Sequence, residues 1–508
     1  MKTYITLSSI LALSMAFTAC SLQYDPLDTY SDVTEGVTPE EEEIVFETKA
    51  DVQSAIDGLY TRIHDRQEHW FLDNRLIADC HSDNAYVGTT GAEVVPFEDN
   101  SIEGSNPDIE RDWNRFLEDA ALATKIITNL DKVADHSLSQ DEQNRYRGEA
   151  EIFRCMIWFD MVRMWGDIPC IRTTAGNITA ENIEEVYDAY FPDQMKEEEV
   201  YKNIETDLLD ALKYAPDATG DKTRFTKDVA RALLAKVYAE KPIRDYSKTI
   251  KYVDELLANG YDLVDNYRLL YGVDGAVKDG FTAQPLAQNC RESVLEVHYA
   301  VGAGNWATWM FGRDLADWDS NFSWAKWVTP SRDLINAFES QGDKIRYEES
   351  VVWYSCSWSN YYPSDNYAFM YKCRSAYVNW LKYRMGDLLL LKAEALLMGN
   401  GDLNGAADII DKVRARVELP KLPANVRSDR AAMINALMLE RRLELAFEGE
   451  RWFDLCRMDK VEEVMNAVYS KDSGRLPQRN VFNANSYRLP IPQAAIDQND
   501  KLKQNPGY

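Results

Sequence analysis

Apolar residues recur every three or four positions through most of this chain, and that spacing commits it to helices that must bury one face on each other. Trp113, Phe116, Leu117, Ala120, Thr124 and Ile127 share one face, and Ala150, Phe153, Ile157, Met161 and Met164 share another. These two stretches are expected to pack as an antiparallel pair. A second pair is expected from Ala230, Leu233, Leu234, Val237 and Tyr238 with Ile250, Val253 and Leu257. A third joins Leu389, Ala393, Leu396 and Leu397 to Ala406, Ile409, Ile410, Val413 and Val417 through a GNGD turn at 399–402.

The small and large residues of KAEALLMGNGDLNGAADIIDKVRAR (392–416) are spaced in a way similar to a tetratricopeptide repeat. Such repeats bury a continuous core only by stacking. Here long inserts interrupt them, which excludes a plain solenoid. Residues 70–110 and 300–365 lack a helical period and are rich in Gly, Asn, Ser, Asp and aromatics. Loops that long are functional or disordered. Their aromatics argue against disorder, because seven of the chain's 13 Trp (Trp306, Trp309, Trp318, Trp324, Trp327, Trp353 and Trp358) lie in the second insert.

The first residues, MKTYITLSSILALSMAFTAC, carry one Lys and an apolar run too short to span a bilayer, so they read as a secretory signal. Two cleavage routes fit. An ordinary signal peptidase would release a soluble chain, whereas Phe17-Thr18-Ala19-Cys20 resembles a lipoprotein box cleaved before an acylated Cys20. Taking residues 1–19 away leaves 489 (508 minus 19), enough for one large core or two fused lobes. With 56 basic against 84 acidic residues the net charge is −28, which excludes nucleic acid as a natural partner. The five His are scattered and no C-x-x-C occurs, so neither a metal site nor a cofactor is expected. Cys155 and Cys456 read as buried thiols, and a Cys356–Cys373 bridge is compatible with an oxidising compartment.

Three long segments carry a resemblance: GEAEIFRCMIWFDMVRMWGDIP (148–169), ERRLELAFEGERWFDLCRM (440–458) and YRLPIPQAAIDQNDKLKQNPGY (487–508). They are similar to hallmark segments of the SusD/RagB family of Bacteroidetes outer-membrane lipoproteins. DVQSAIDGLYTRI (51–63), SDNAY (82–86), TPSRDLINAFESQGDKIR (329–346) and Cys20 support it. The resemblance implies a mainly α fold, with four tetratricopeptide-like helix pairs as scaffold and a loop-rich, irregular ligand-binding lobe. On that basis a signal peptide (1–19) and a polar leader (20–45) precede a SusD-like domain (46–508). Its scaffold is expected over about 46–69, 111–260 and 381–470, its insert lobe over about 70–110 and 265–380, and its closing segment over 487–508. The implied role is to bind oligosaccharides at the cell surface and pass them to a SusC-like TonB-dependent transporter, without catalysis, from a lipid anchor on the outer membrane.

A sugar ring offers a C–H face that stacks on an aromatic ring, and hydroxyls that want amide, carboxylate or guanidinium partners. Trp306, Trp309, Arg313, Trp318, Asn321 and Trp324 supply both kinds of group within nineteen residues, and Asp83, Tyr86, Phe97 and Asn100 add candidates from the first insert. The competing reading of each Trp is a plug that seals the lobe onto the helices, and Ser82-Asp83-Asn84 reads equally as a structural turn. Glu440, Glu444 and Glu448, at i, i+4 and i+8 beside Arg441, Arg442, Arg451 and Arg457, read as scaffold ion pairs rather than as acids for catalysis. Two further classes stay open: a peptide-binding member of the same family, and a glycoside hydrolase built on a carboxylate pair.

Overall fold

Helix starts are written locally in this sequence. The computed structural model describes residues 45–88, 91, 93–174, 187, 190–272, 288–300, 303–307 and 327–508. The first helix is α1 (Lys49–Asp65). In α2 (Pro107–Asn129), Asn106 accepts the N–H groups of Asp108 and Ile109 while Pro107 occupies the first turn, where its missing donor costs nothing. Ser139 and Glu142 form a reciprocal capping box on α3 (Gln140–Trp165). Then follow α4 (Glu197–Tyr214), α5 (Lys227–Val237), α6 (Tyr246–Ala258), α7 (Arg332–Gln341), α8 (Lys344–Ser350), α9 (Met385–Ala395), α10 (Leu403–Arg416), α11 (Arg430–Glu444) and α12 (Arg451–Arg457).

The three expected pairs form: α2 packs on α3, α5 on α6 and α9 on α10. The GNGD turn works as its chemistry demands, with Gly401 at φ 69° and Asp402 accepting the Gly405 N–H at 2.8 Å to start α10. Gly148 in α3 lets the end of α4 come close, since a Cβ there would stand 2.6 Å from the Ala215 nitrogen.

Among the described residues, six short strands form three antiparallel pairs. They are β1 (Ala85–Tyr86), β2 (Ser293–Val297), β3 (Thr329–Pro330), β4 (Val351–Tyr354), β5 (Tyr367–Met370) and β6 (Trp380–Arg384). Pairing β1 with β3 sets Tyr86 opposite Thr329, and pairing β2 with β6 sets Val297 opposite Trp380. The first insert is thereby stitched to the second, and the second to the strand that runs directly into α9.

One core serves both regions: Tyr86, Phe97, Val328 and Phe369 from the inserts lie in the same buried cluster as Phe153, Leu233 and Leu389 from the helices. Two expectations about the inserts are corrected. Residues 68–80 are helical, one α turn (Asp73–Arg75) between two π-helical turns (Glu68–Leu72 and Leu76–Cys80), and 332–350 hold α7 and α8. Glu448 is not on the helix of Glu440 and Glu444 either, because α11 ends at Glu444 and Phe447 turns the chain at φ 62°. Cys373 is a buried thiol in the core, while the Cys356 Sγ donates to the Trp358 carbonyl at 3.1 Å.

Candidate functional site

The Ser82-Asp83-Asn84 turn sits at the buried junction between the first insert and the end of the scaffold. Asp83 accepts both arms of Arg451, at 2.8 and 2.9 Å, and Arg442 stands 3.3 Å from the same carboxylate. Burial pushes that carboxyl upward, and the two guanidinium groups override it and hold it well below the usual carboxylate range. Arg442 also donates to the Asp83 carbonyl and to Asn84 Oδ1. The Tyr86 hydroxyl donates to Asp472 and accepts the Arg332 N–H at 2.9 Å, while its ring stacks on Tyr361 at 4.7 Å. Phe97 is in the core. Asp83, Tyr86 and Phe97 are thus corrected as ligand-facing candidates: the Asp83 carboxylate is spent on Arg451 of α12, the Tyr86 hydroxyl and ring on Asp472, Arg332 and Tyr361, and Phe97 on the core. Asn100 alone of that group borders open space, in the left-handed region at φ 59°.

Two titratable groups in this junction oppose each other. Burial lowers His81, whose Nδ1 pairs with the Phe97 carbonyl at 2.8 Å, to about 4, and burial raises Asp79 to about 6. As pH falls from 6.5, the unfolded chain protonates His81 before the folded one does, so stability drops until about pH 4 is reached. Asp79 has the reverse sign: the folded chain takes its proton first, so its contribution grows as pH falls through about 6. A His81→Asn variant, which keeps a donor for the carbonyl, removes only the first. Its stability relative to wild type should therefore rise by about 1.4 kcal/mol per pH unit between about pH 6 and 4.5, read from urea midpoints; parallel curves would show that His81 stays neutral in neither state's favour.

Trp306 stands where the Trp-rich insert leaves the scaffold, and it is the exposed Trp among the described residues, at 46%. Its mount is rigid. The Asn305 backbone N–H donates to the Ala376 carbonyl at 2.7 Å and its side chain to Val378 O at 2.8 Å, while the Trp306 N–H donates to Gln67 Oε1 at 2.7 Å. Ala307 is fully buried behind it. Nearby in the same connection, Tyr299 stacks on His64 at the end of α1, with ring centroids 4.8 Å apart. Trp309, Arg313, Trp318, Asn321 and Trp324 lie outside the described residues, as does Cys20. Trp327, Trp353 and Trp358 behave as plugs: half-buried, they pack on the core, with Trp353 Nε1 donating to Tyr347 and Trp358 edge-on to Tyr367 and Phe369.

Nothing in the sequence pairs Gln67 with Trp306, 239 positions apart. The nearest signal is chemical: both Gln67 and Asn305 are amides, which can hold a backbone group without adding charge beside an apolar ring. Glu440 and Glu444 are enclosed by Arg346, Arg384, Arg414 and Arg416. No group of three His, Cys, Asp or Glu among the described residues could hold a metal ion, and no helix among them is long and apolar enough to cross a membrane.

Residues 364–508 match the SusD family, and residues 36–239 match a family described as starch-binding and associating with the outer membrane. SusD-like protein P2 of Formosa agariphila is 24% identical over 498 residues, covering 92% of this chain and 94% of that protein. Among solved structures, a laminarin-binding SusD-like protein superposes with a TM-score of 0.68 at 22% identity, covering 91% of this chain and 100% of that one. Surface glycan-binding protein A of Bacteroides thetaiotaomicron, solved with laminarihexaose, superposes with a TM-score of 0.68 at 17% identity, covering 90% and 99%.

Proposed function

Because the chain belongs to the SusD/RagB family, we propose that it captures oligosaccharides at the surface of the outer membrane and hands them to a SusC-like TonB-dependent transporter, acting as a binding protein and not as an enzyme. The observation that carries this reading is Trp306: a large ring, nearly half exposed, on a mount held by three hydrogen bonds. Exposing an indole costs hydrophobic free energy, and fixing it in place removes the entropy a ligand would otherwise have to order. A stacking platform for a sugar face uses both features. Trp309, Arg313, Trp318, Asn321 and Trp324 would extend the platform along the same segment. A laminarin-binding protein of the same fold and another solved with laminarihexaose make β-linked glucose oligomers the first ligands to try. Cys20, acylated, would tether the chain beside its transporter.

Calorimetry against laminarihexaose, maltohexaose and a set of peptides tests the ligand class. At least one oligosaccharide should bind and be recovered intact; binding of peptides alone, or turnover of a glycan, would replace this reading. Mild-detergent extraction of the tagged chain should bring a TonB-dependent barrel with it. The Cys20→Ala chain should leave the membrane fraction, and recovery of that variant in washed membranes would rule out the anchor.

A further inference from the structure

A second binding surface lies where the turn at 100–104 meets the C-terminal segment, and it shares no residue with the Trp306 mount. Six carboxamides (Asn100, Asn480, Asn483, Asn485, Gln493 and Gln504) line an open cleft. Of its 14 described lining residues only Glu103 carries a side-chain charge, in a chain where 28% of residues do. A crevice on so acidic a protein that is left almost uncharged calls for an explanation.

Part of the hydrogen-bonding capacity fixes the cleft and part is left over. Asn100 and Asn480 each donate Nδ2 to the other's backbone carbonyl, at 2.7 and 2.8 Å, which locks both side chains and leaves both Oδ1 atoms unspent among the described residues. Gln493 Nε2 donates to Asp497 at 2.8 Å, leaving its Oε1. The Asn485 backbone is held by Asn483 Oδ1 at 2.8 Å, while its side-chain amide bonds no other described residue. Tyr508, 43% exposed, is anchored by its hydroxyl on the Arg488 carbonyl at 3.1 Å, and Val481 beside it is 66% exposed.

Preset carbonyl oxygens accept from hydroxyls, a free amide donates and accepts, and an anchored ring offers a stacking face. With no cation in the described lining, an anionic ligand has no counter-charge and meets Glu103 instead. We propose that this cleft is a second saccharide site, which takes a neutral sugar unit with its hydroxyls on Asn100, Asn480, Asn485 and Gln493 and a C–H face on Tyr508. The inference rests on the reading of the chain as an oligosaccharide binder and adds a second point of attachment, so that a long glycan could be held at two places at once.

Saturation-transfer NMR on the full chain in detergent, with maltohexaose, laminarihexaose and tetragalacturonate as probes, tests it. Four proteins are compared: wild type, Trp306→Ala, Asn485→Ala with Tyr508→Ala, and all three changes together. Transfer to at least one neutral hexaose should persist in Trp306→Ala and weaken about tenfold when the two cleft substitutions are added, with the melting temperature unchanged. The uronate should receive none. The proposal is overturned if Trp306→Ala alone abolishes transfer to both hexaoses, if the cleft substitutions leave that transfer unaltered, or if the uronate binds equally well. Should the cleft substitutions abolish all binding while Trp306→Ala changes nothing, the Trp306 platform falls and the cleft stands.

Discussion

Glu444→Gln should cost the folded protein about 3–5 kcal/mol, one of the largest losses available from a single isosteric change. Glu444 is fully buried and faces three guanidinium groups: Arg384 at 2.7 Å, Arg346 at 3.2 Å, and Arg416. These belong to a closed set. Arg346 also pairs with Asp343 and Glu440, Arg414 with Glu440, Arg384 and Arg416 with Glu292, and Arg384 and Lys372 with Glu448. Five cations (Arg346, Lys372, Arg384, Arg414 and Arg416) therefore meet five anions (Glu292, Asp343, Glu440, Glu444 and Glu448). Burial opposes ionisation of Glu444, yet its arginines hold the carboxyl well below the usual range, so the charged form is the one the fold is built on. Neutralising it leaves a surplus cation where water cannot compensate. An exposed pair such as Lys344–Glu348, cut to Lys344→Ala, should cost under about 1 kcal/mol in the same urea titration. A loss for Glu444→Gln no larger than that control would mean that water enters the network.

The location of that network explains what could and could not be read from the sequence. Glu440, Glu444 and the neighbouring arginines announce ion pairing by their spacing, but Arg441, Arg442, Arg451 and Arg457 pair with other carboxylates. The partners of Glu440 and Glu444 come from α8, the end of β6 and α10, as far as 98 positions away. The three helix pairs were legible because their apolar positions recur at the helical period, even where, as over residues 148–165 of α3, every position is buried. Residues 69–80 were not, for a physical reason: the two π-helical turns break the 3.6-residue period.

The candidate site divides in the same way. Asp83 and Tyr86 have the composition of a sugar-binding loop, and composition does not say which way a side chain points. Arg451 stands 368 positions from Asp83, and Asp472 stands 386 from Tyr86. Those partners decided the matter by drawing the pair inward. Among the described residues no such partner is found for the Trp306 ring. Among them it is held through its backbone, and its indole is left 46% exposed.

That difference between a held ring and a presented one predicts opposite outcomes for the same substitution at two tryptophans. Trp452 in α12 is 2% exposed, its ring 4.1 Å from His81 and 5.9 Å from Phe482, so Trp452→Ala should open a cavity at the insert–scaffold junction and cost about 3–5 kcal/mol of stability. Trp306→Ala removes a ring that is 46% exposed and leaves its backbone hydrogen bonds intact, so the melting temperature should scarcely move. Its effect belongs to binding: loss of a stacking hot spot should weaken oligosaccharide affinity by about 2 kcal/mol, roughly thirtyfold. Measuring melting and calorimetry on both variants separates the roles, because a buried Trp lowers stability whatever the ligand, whereas a platform lowers affinity in a protein that still melts normally. If Trp306→Ala melted early alongside Trp452→Ala, the exposed indole would be a plug like Trp327, Trp353 and Trp358, and the ligand face would have to be sought along 309–324. If it melted normally and bound glycan as wild type does, the rigid mount beneath it would serve the loop's own path rather than a sugar.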